Sequence, residues 1–145
     1  LNRHGAGTMA VAVVRDFGSR EGAVASTVSH DSHNLAVVYD RPENAVIAIR
    51  ALIASRGGHC AVKDGSVVGL LPLPIYGLLS PLPCDELAVR AEAMKAALRS
   101  LGVETRNPLM RITSIALPVI PKGKLTDRGL VDVVAQKIVP LFAGA

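Results

Sequence analysis

An Asp-Gly pair between two apolar runs is the sequence feature that most constrains how this chain can fold. Asp64 and Gly65 separate Cys60–Lys63 from Ser66–Leu71, and both runs have the composition of β-strands. A two-residue Asp-Gly connection favours a tight hairpin because both residues tolerate the positive φ angles of a type I′ turn. The two runs are therefore predicted to pair antiparallel, so the sheet is mixed or antiparallel rather than wholly parallel.

Two helices are predicted, one on each side of this hairpin. The first begins near Asp40, which would cap it together with Glu43 three residues later, and it ends at Gly57-Gly58. The second runs from about Asp85 to Leu101. The predicted apolar stripes are Val46, Ile49, Leu52 and Ile53 in the first helix and Leu87, Ala91, Met94, Leu98 and Leu101 in the second.

The remaining apolar runs predict further strands, several of which follow one another without an intervening helix. In chain order these strands are Thr8–Val14, Ala23–Val28, Leu35–Tyr39, Arg111–Val119 and Ile138–Phe142. Leu125–Val134 is predicted as a turn with room for a short helix. The pattern indicates the α+β class, with a mixed or antiparallel sheet and the two main helices packed on one side of it. A length of 145 residues is enough for one compact domain over residues 1–145.

An apolar, proline-rich connector, Leu73–Pro83, follows the hairpin. It can be neither a regular helix nor a central strand, because proline lacks the backbone N–H that both need. The apolar stretch that contains it is too short and too interrupted to cross a bilayer. Part of the connector is predicted to be a docking face for another domain or a second subunit, with closure of the domain's own core over the second helix as the alternative. The residues of this face are Ile75, Tyr76, Leu78 and Leu79.

The charge of the chain does not indicate a nucleic-acid partner. The formal net charge is +4 and the pI is near 9.4, but the basic residues are spread along the chain. Only 3 % of the residues are aromatic, so the chain lacks the rings on which single-stranded bases stack. Two cysteines without framework spacing fit a reducing cytoplasm. Cys60 is predicted to be a buried small hydrophobe and Cys84 a residue at a helix start.

One polar segment, Ser29–Asn34, stands out from this apolar background with the sequence Ser-His-Asp-Ser-His-Asn. A turn between strands has no structural need for two imidazoles three residues apart, and imidazole with carboxylate can exchange protons near neutral pH. The alternative is a hairpin turn in which Asp31, Ser32 and Asn34 bond to their own backbone. The residues alone give the two interpretations equal weight, and they are too few for a complete metal site.

Other catalytic patterns are mostly absent from the sequence. The zinc nucleobase deaminases need a His-x-Glu and a Pro-Cys-x-x-Cys motif, but no His-x-Glu occurs and Pro83-Cys84 lacks the second cysteine. The Lys-Ser/Thr pair of a phosphate loop does not follow Gly57-Gly58, so His59 is predicted to be a strand residue. Thr126–Gly129 is predicted to be a turn closed by a contact between its aspartate and its arginine.

Four segments of the chain together form a distinctive pattern. They are residues 22–34 (GAVASTVSHDSHN), 71–80 (LPLPIYGLLS), 116–121 (ALPVIP) and 125–133 (LTDRGLVDV). In sequence, order and spacing they resemble the C-terminal domain of adenine deaminases in the amidohydrolase superfamily. The resemblance extends over nearly the whole chain, from Arg3 to Phe142. Ser29 is a departure, since alanine is commoner there.

The resemblance implies an enzyme that hydrolyses adenine to hypoxanthine and ammonia. It implies a pair of divalent ions, manganese or iron, in an upstream (β/α)₈ barrel, where they would activate water. No metal ligand is assigned in this chain, and the chain alone is expected to be inactive. The candidate catalytic residues are His30, Asp31 and His33, and the candidate substrate-binding residues are Ser29 and Asn34.

The expected partners are adenine, the upstream barrel domain and further copies of the chain in a homo-oligomer, with no nucleic acid and no membrane. Two other classes of function stay open. One is a structural or oligomerisation domain, in which the polar groups of Ser29–Asn34 are all hydrogen-bonded in a network at an interface. The other is a free-standing module that binds a small molecule without a barrel.

Overall fold

The computed structural model describes residues 1–142, and its centre is a four-stranded antiparallel sheet. The strands are β1 (Ala23–Ser26), β2 (Ala36–Tyr39), β3 (Gly58–Lys63) and β4 (Ser66–Pro72), in the spatial order β2-β1-β3-β4. The helices are α1 (Pro42–Ala54), α2 (Cys84–Ser100) and α3 (Pro108–Thr113). A second antiparallel sheet consists of β5 (Gly123–Thr126), β6 (Gly129–Asp132) and β7 (Lys137–Val139). The predicted α+β class is confirmed.

The two main helices lie on opposite faces of the four-stranded sheet, and not on one side as predicted. Successive residues of a strand point to opposite faces, and both faces of β1 and β3 are buried. The cluster on the α2 side includes Val24, Ala61, Met94 and Leu98. The cluster on the α1 side includes Ala25, Ala48, Leu52 and Cys60. Apolar residues at successive positions, as in Ala23–Ala25 and Cys60–Val62, indicate a sheet covered on both faces, and this pattern contradicts a one-sided arrangement.

Helix α1 buries a different stripe from the predicted one. Ala45, Ala48 and Leu52 face the sheet, whereas Val46 and Ile53 are 44 % and 71 % exposed. Two alanines at helical spacing allow the helix backbone to lie close to the sheet, so the smaller side chains are the buried ones. The helix begins at Pro42.

The predicted cap of α1 is wrong by one residue. Arg41 occupies the N-cap position, and no side chain caps the helix. The Asp40 carboxylate instead accepts hydrogen bonds from the Arg41 backbone N–H (2.6 Å) and from the Asn44 side-chain amide (2.7 Å).

The hairpin and the second helix are confirmed. Lys63 pairs with Ser66 across a two-residue turn, in which Asp64 and Gly65 have φ angles of 48° and 73°. Helix α2 begins at Cys84, as expected for that cysteine, and Cys60 is fully buried in β3. The predicted stripe of α2 faces the core, with Met94, Leu98 and Leu101 buried and Leu87 and Ala91 partly buried against them.

Two predicted strands are wrong. Within residues 1–142, Thr8–Val14 forms no strand, and its larger apolar side chains are exposed. Arg111–Val119 contains the last turn of α3 and a following turn. Pro108, Ile112 and Ala116 are buried at a spacing of four residues. The Asn107-Pro108 pair was the available signal, because proline is favoured in the first helical turn.

The segment predicted as a turn with a short helix, Leu125–Val134, instead contains most of the β5–β6 hairpin. The predicted terminal strand is shifted and shorter, since β7 ends at Val139. Asp127 and Arg128 form the turn between β5 and β6, as predicted, but no salt bridge joins their side chains. The Asp127 carboxylate instead accepts hydrogen bonds from Thr8 Oγ1 and, at 3.4 Å, from Asn2 Nδ2, which attaches the N-terminal segment to this hairpin.

The connector after β4 is irregular, as predicted, and contains a tight turn closed by Ile75 and Leu79. Leu73 is buried, whereas Ile75, Tyr76 and Leu79 are exposed, Tyr76 by 84 %. Leu78 is half-buried. The apolar face is therefore present in large part, and its docking role stays a prediction. In the part of the chain that the structure describes, no helix has the length and hydrophobicity needed to span a membrane.

Candidate functional site

The polar loop begins where β1 ends, beside the start of β3 and the end of β4. Ser26 pairs with His59 at the start of β3, and Gly58 pairs with Pro72 at the end of β4. The polar loop, residues 27–35, therefore lies beside the connector that follows β4. The antiparallel order of β1, β3 and β4 produces this proximity.

Thr27 fixes the base of the polar loop. Its backbone N–H donates to the Gly58 carbonyl (3.0 Å), and its hydroxyl accepts from the Gly58 N–H (2.8 Å). The same hydroxyl donates to the Gly77 carbonyl in the connector (2.6 Å). A single buried threonine thus joins β1, β3 and the connector.

The predicted site residues are brought together in this loop, with different exposures. Ser29 is fully buried, and Asn34 is 7 % exposed. His30 and His33 are half-buried, and Asp31 is exposed. The two imidazole rings meet edge to face, with their centroids 6.0 Å apart and their planes at 78°. The loop therefore presents two accessible imidazoles and a carboxylate above a buried polar floor.

Three buried polar atoms of this loop have no hydrogen-bond partner among the described residues. They are Ser29 Oγ, His33 Nδ1 and Asn34 Oδ1, and the only other such side-chain atom in residues 1–142 is Thr105 Oγ1. Leaving a buried polar atom unpaired costs about 1–3 kcal/mol, so folded proteins rarely concentrate several in one turn. This pattern argues against a turn that satisfies its own polar groups.

The N-terminal segment contacts the second half of the loop, a proximity that was not predicted from the sequence. The Leu1 nitrogen donates to the Leu35 carbonyl, and the Leu35 N–H donates to the Leu1 carbonyl, both at 2.9 Å. Arg3 Nε donates to the His33 carbonyl, and His4 Nε2 lies 3.0 Å from the Ser32 carbonyl. These residues are about thirty positions apart in sequence, and no local pattern joins them.

His59 is a strand residue, as predicted, and it is buried near the base of the loop. It lies on β3 beside Ser26. Burial lowers the pKa of His59 to about 4, because the charged imidazolium loses its hydration there. The ring is therefore neutral at neutral pH.

Acidification is expected to destabilise the fold through His59. The unfolded chain takes up a proton below its ordinary pKa of 6.5, whereas the folded chain resists protonation until about pH 4. The free energy of unfolding is therefore unaffected by His59 above its ordinary pKa and decreases as the pH falls from that value toward about 4. The decrease is about 2 kcal/mol between about pH 7 and about pH 5. Urea unfolding at these pH values measures the loss. A His59→Gln variant, which cannot titrate, should lose less, and an equal loss would identify another group as the cause.

The loop does not enclose a pocket by itself. A cleft of about 170 Å³ beside its base is lined by Arg3, Arg56, Thr27 and mostly apolar residues that include Leu35 and Leu52. Pockets that enclose a small molecule usually measure about 300–1,000 Å³. Within residues 1–142, no three His, Cys, Asp or Glu side chains converge in a way that could hold a metal ion. A substrate or metal centre at this loop would need a second surface.

Comparison with known proteins identifies the family of the chain. The family described as "Adenine deaminase C-terminal domain" matches residues 1–137. The chain belongs to this family. It is 45 % identical to the adenine deaminase of Moorella thermoacetica, over 99 % of the chain and 24 % of that protein. It is 46 % identical to the adenine deaminase of Methanothrix thermoacetophila, over 98 % of the chain and 25 % of that protein.

A third relative, the adenine deaminase of Methylobacterium sp., is 44 % identical over 97 % of the chain and 25 % of its own length. The chain thus spans about a quarter of the length of the curated relatives it matches. The resemblance seen in the sequence is confirmed for the family. The roles of His30, Asp31, His33, Ser29 and Asn34 stay predictions.

Proposed function

We propose that the full-length protein containing this domain is an adenine deaminase, which hydrolyses adenine to hypoxanthine and ammonia. The observation that carries the proposal is the family match over residues 1–137. Support comes from relatives that bear this name and align with almost all of the chain. The proposal places the enzyme in the amidohydrolase superfamily and in purine metabolism.

We further propose that the polar loop takes part in this reaction. Deamination needs a proton delivered to the departing amine, and imidazole is the side chain that most often transfers protons in catalysis. His30 and His33 both lie half-buried in the loop, where they could serve this role. The exposed carboxylate of Asp31 can orient such an imidazole or accept its proton. These three residues are the candidate catalytic groups.

Ser29 and Asn34 are proposed to contact the purine. Asn34 Oδ1 is a buried acceptor without a partner among the described residues, and it matches an N–H donor on the adenine edge. Ser29 Oγ can donate or accept, so it can face a ring nitrogen. A site whose buried polar groups lack hydrogen-bond partners discriminates strongly against ligands that leave those groups unpaired.

A divalent metal pair, manganese or iron, is proposed to lie in the rest of the full-length protein. The described residues do not offer a converging ligand set, so no step of the reaction is assigned to metal in this chain. The loop would then face the upstream barrel domain, which would supply the second surface of the site. Separately, the enzyme is proposed to form a homo-oligomer. A cytoplasmic location is supported by the two unpaired cysteines, Cys60 and Cys84.

The test is adenine hydrolysis by the purified full-length protein, loaded with manganese or iron. We expect equimolar hypoxanthine and ammonia, followed by absorbance and by a coupled ammonia assay. Cytosine and guanine serve as controls that should react far more slowly, because each presents a different hydrogen-bonding edge. Equal turnover of all three bases, or none of adenine, would contradict the proposal.

A further inference from the structure

We propose that Arg3 is a positioning residue, whose guanidinium ties the polar loop to the connector and thereby sets the place of the His33 imidazole. The inference rests on the proposed function of the loop. It concerns a residue outside the loop, which reaches it only through the tertiary structure.

The guanidinium of Arg3 bridges two segments of the chain. Its Nε donates to the His33 carbonyl in the loop, and one terminal nitrogen donates to the Tyr76 carbonyl in the connector at 2.7 Å. The two acceptors are 43 positions apart in sequence, and two nitrogens of one planar group serve them both. A guanidinium is suited to this because its donors are fixed in one plane and directed differently.

Gly77 lies directly against the guanidinium of Arg3. A Cβ atom added at Gly77 would lie 3.1 Å from both terminal nitrogens of Arg3 and 3.1 Å from Thr27 Oγ1. The absence of a side chain at position 77 therefore lets the guanidinium lie against the connector backbone. Thr27 holds the Gly77 carbonyl through a buried hydrogen bond, so the half-buried Arg3 lies directly beside the fixed junction between β1, β3 and the connector.

The contact bears on the imidazole because Arg3 holds the backbone of the same residue. His33 has a φ of 49°, in the left-handed region that non-glycine residues rarely adopt without support. Its carbonyl is held by Arg3, and its Nδ1 is one of the buried atoms without a partner. Fixing the peptide group of His33 restricts where its ring can point. Without Arg3, the carbonyls of His33 and Tyr76 both lose a donor.

The test compares Arg3→Ala and Arg3→Lys in the full-length protein with the unchanged enzyme. Lysine keeps the charge but has a single ammonium, which cannot serve two carbonyls in the Arg3 geometry. In both variants we expect hydrogen exchange at the amides of residues 29–35 to become roughly tenfold faster. We also expect kcat to fall roughly tenfold with little change in KM, since a misplaced catalytic group slows chemistry more than binding.

Arg111→Ala is the matched control. Arg111 also ties a loop through two carbonyls, donating from Nε to Phe17 (3.1 Å) and from a terminal nitrogen to Asp16. Its removal should loosen that loop and leave exchange at residues 29–35 and kcat unchanged. If kcat falls as much in the control as in the Arg3 variants, the inference is overturned, because the decrease would then reflect general destabilisation.

Unchanged exchange at residues 29–35 in Arg3→Ala would also overturn the inference, whatever happens to turnover. Faster exchange with unchanged turnover would overturn it as well if His33→Ala lowers turnover in the same assay. Full turnover in both His33→Ala and Arg3→Ala has a separate meaning: it refutes the catalytic role proposed for the loop. The exchange measurement distinguishes a failure of Arg3 from a failure of the loop.

Discussion

Alanine at His30, Asp31 or His33 is expected to lower the rate at which the full-length protein hydrolyses adenine. The decrease should be roughly 10²-fold or more where the replaced residue transfers the proton, which is the usual scale for a general acid or base. The melting temperature should change little. None of the three side chains is fully buried, and the loop's fixed base depends on Thr27 instead. The measurement is kcat and KM for each variant, beside its thermal unfolding curve.

Ser32→Ala is the control for this series. Ser32 lies in the same loop and is exposed, and its hydroxyl accepts only a long hydrogen bond from the Asn34 N–H, at 3.4 Å. Its removal should leave turnover within about twofold, because its hydroxyl has no proposed role in the reaction. The melting temperature should also change little, since exposed substitutions away from special features usually change stability by less than about 0.5 kcal/mol. Unchanged turnover with a lowered melting temperature in the His30, Asp31 and His33 variants would favour a purely structural loop.

Alanine at Gly58 is expected to destabilise the folded chain by at least about 3 kcal/mol. Gly58 has a φ of 130°, and an added Cβ would lie 1.9 Å from the Leu71 carbonyl oxygen. The obstacle is backbone of the neighbouring strand, so relief requires the β3–β4 pairing to open. The Gly58 backbone also exchanges hydrogen bonds with Thr27 at the base of the loop. Urea unfolding of the 145-residue chain measures the loss.

Gly65→Ala separates backbone strain from steric overlap. Gly65 also has a positive φ, 73°, but no heavy atom lies within 4 Å of its added Cβ. Only the left-handed conformation is then unfavourable for alanine, at about 1–2 kcal/mol. A loss for Gly58→Ala no larger than that for Gly65→Ala would show that the close approach of Leu71 is not what requires glycine at position 58.

The polar loop illustrates how a sequence can locate a site without describing it. Two imidazoles in a short polar segment between strands were enough to single out residues 29–34. The sequence could not show that three polar atoms of this segment are buried without partners. Burial depends on what packs over a loop, and here the contacting segments are distant in sequence. Arg3 bonds to His33, 30 positions away, and to Tyr76, 73 positions away.

Errors in the predicted elements have a similar cause. The apolar run at residues 111–119 has the β-branched composition of a strand, but Pro108, Ile112 and Ala116 pack with helical spacing. The run at residues 8–14 has a strand-like composition as well, and no described strand pairs with it. Strand propensity reflects how side chains fit a pleated, half-buried surface, so a run becomes a strand only where a partner edge exists.

The sequence by itself determined the features that depend on neighbouring residues. These are the Asp64-Gly65 hairpin, the α2 stripe around Met94 and Leu98, the α+β class, and membership of the family, which four segments match in order. Only the tertiary structure decided which face of α1 is buried, that α1 and α2 lie on opposite faces of the sheet, and that Arg3 joins the loop to the connector. The reason is physical. Turn geometry and helical periodicity are fixed by residues a few positions apart, whereas the burial of a face and the partner of a carbonyl are fixed by segments that meet only after the chain has folded.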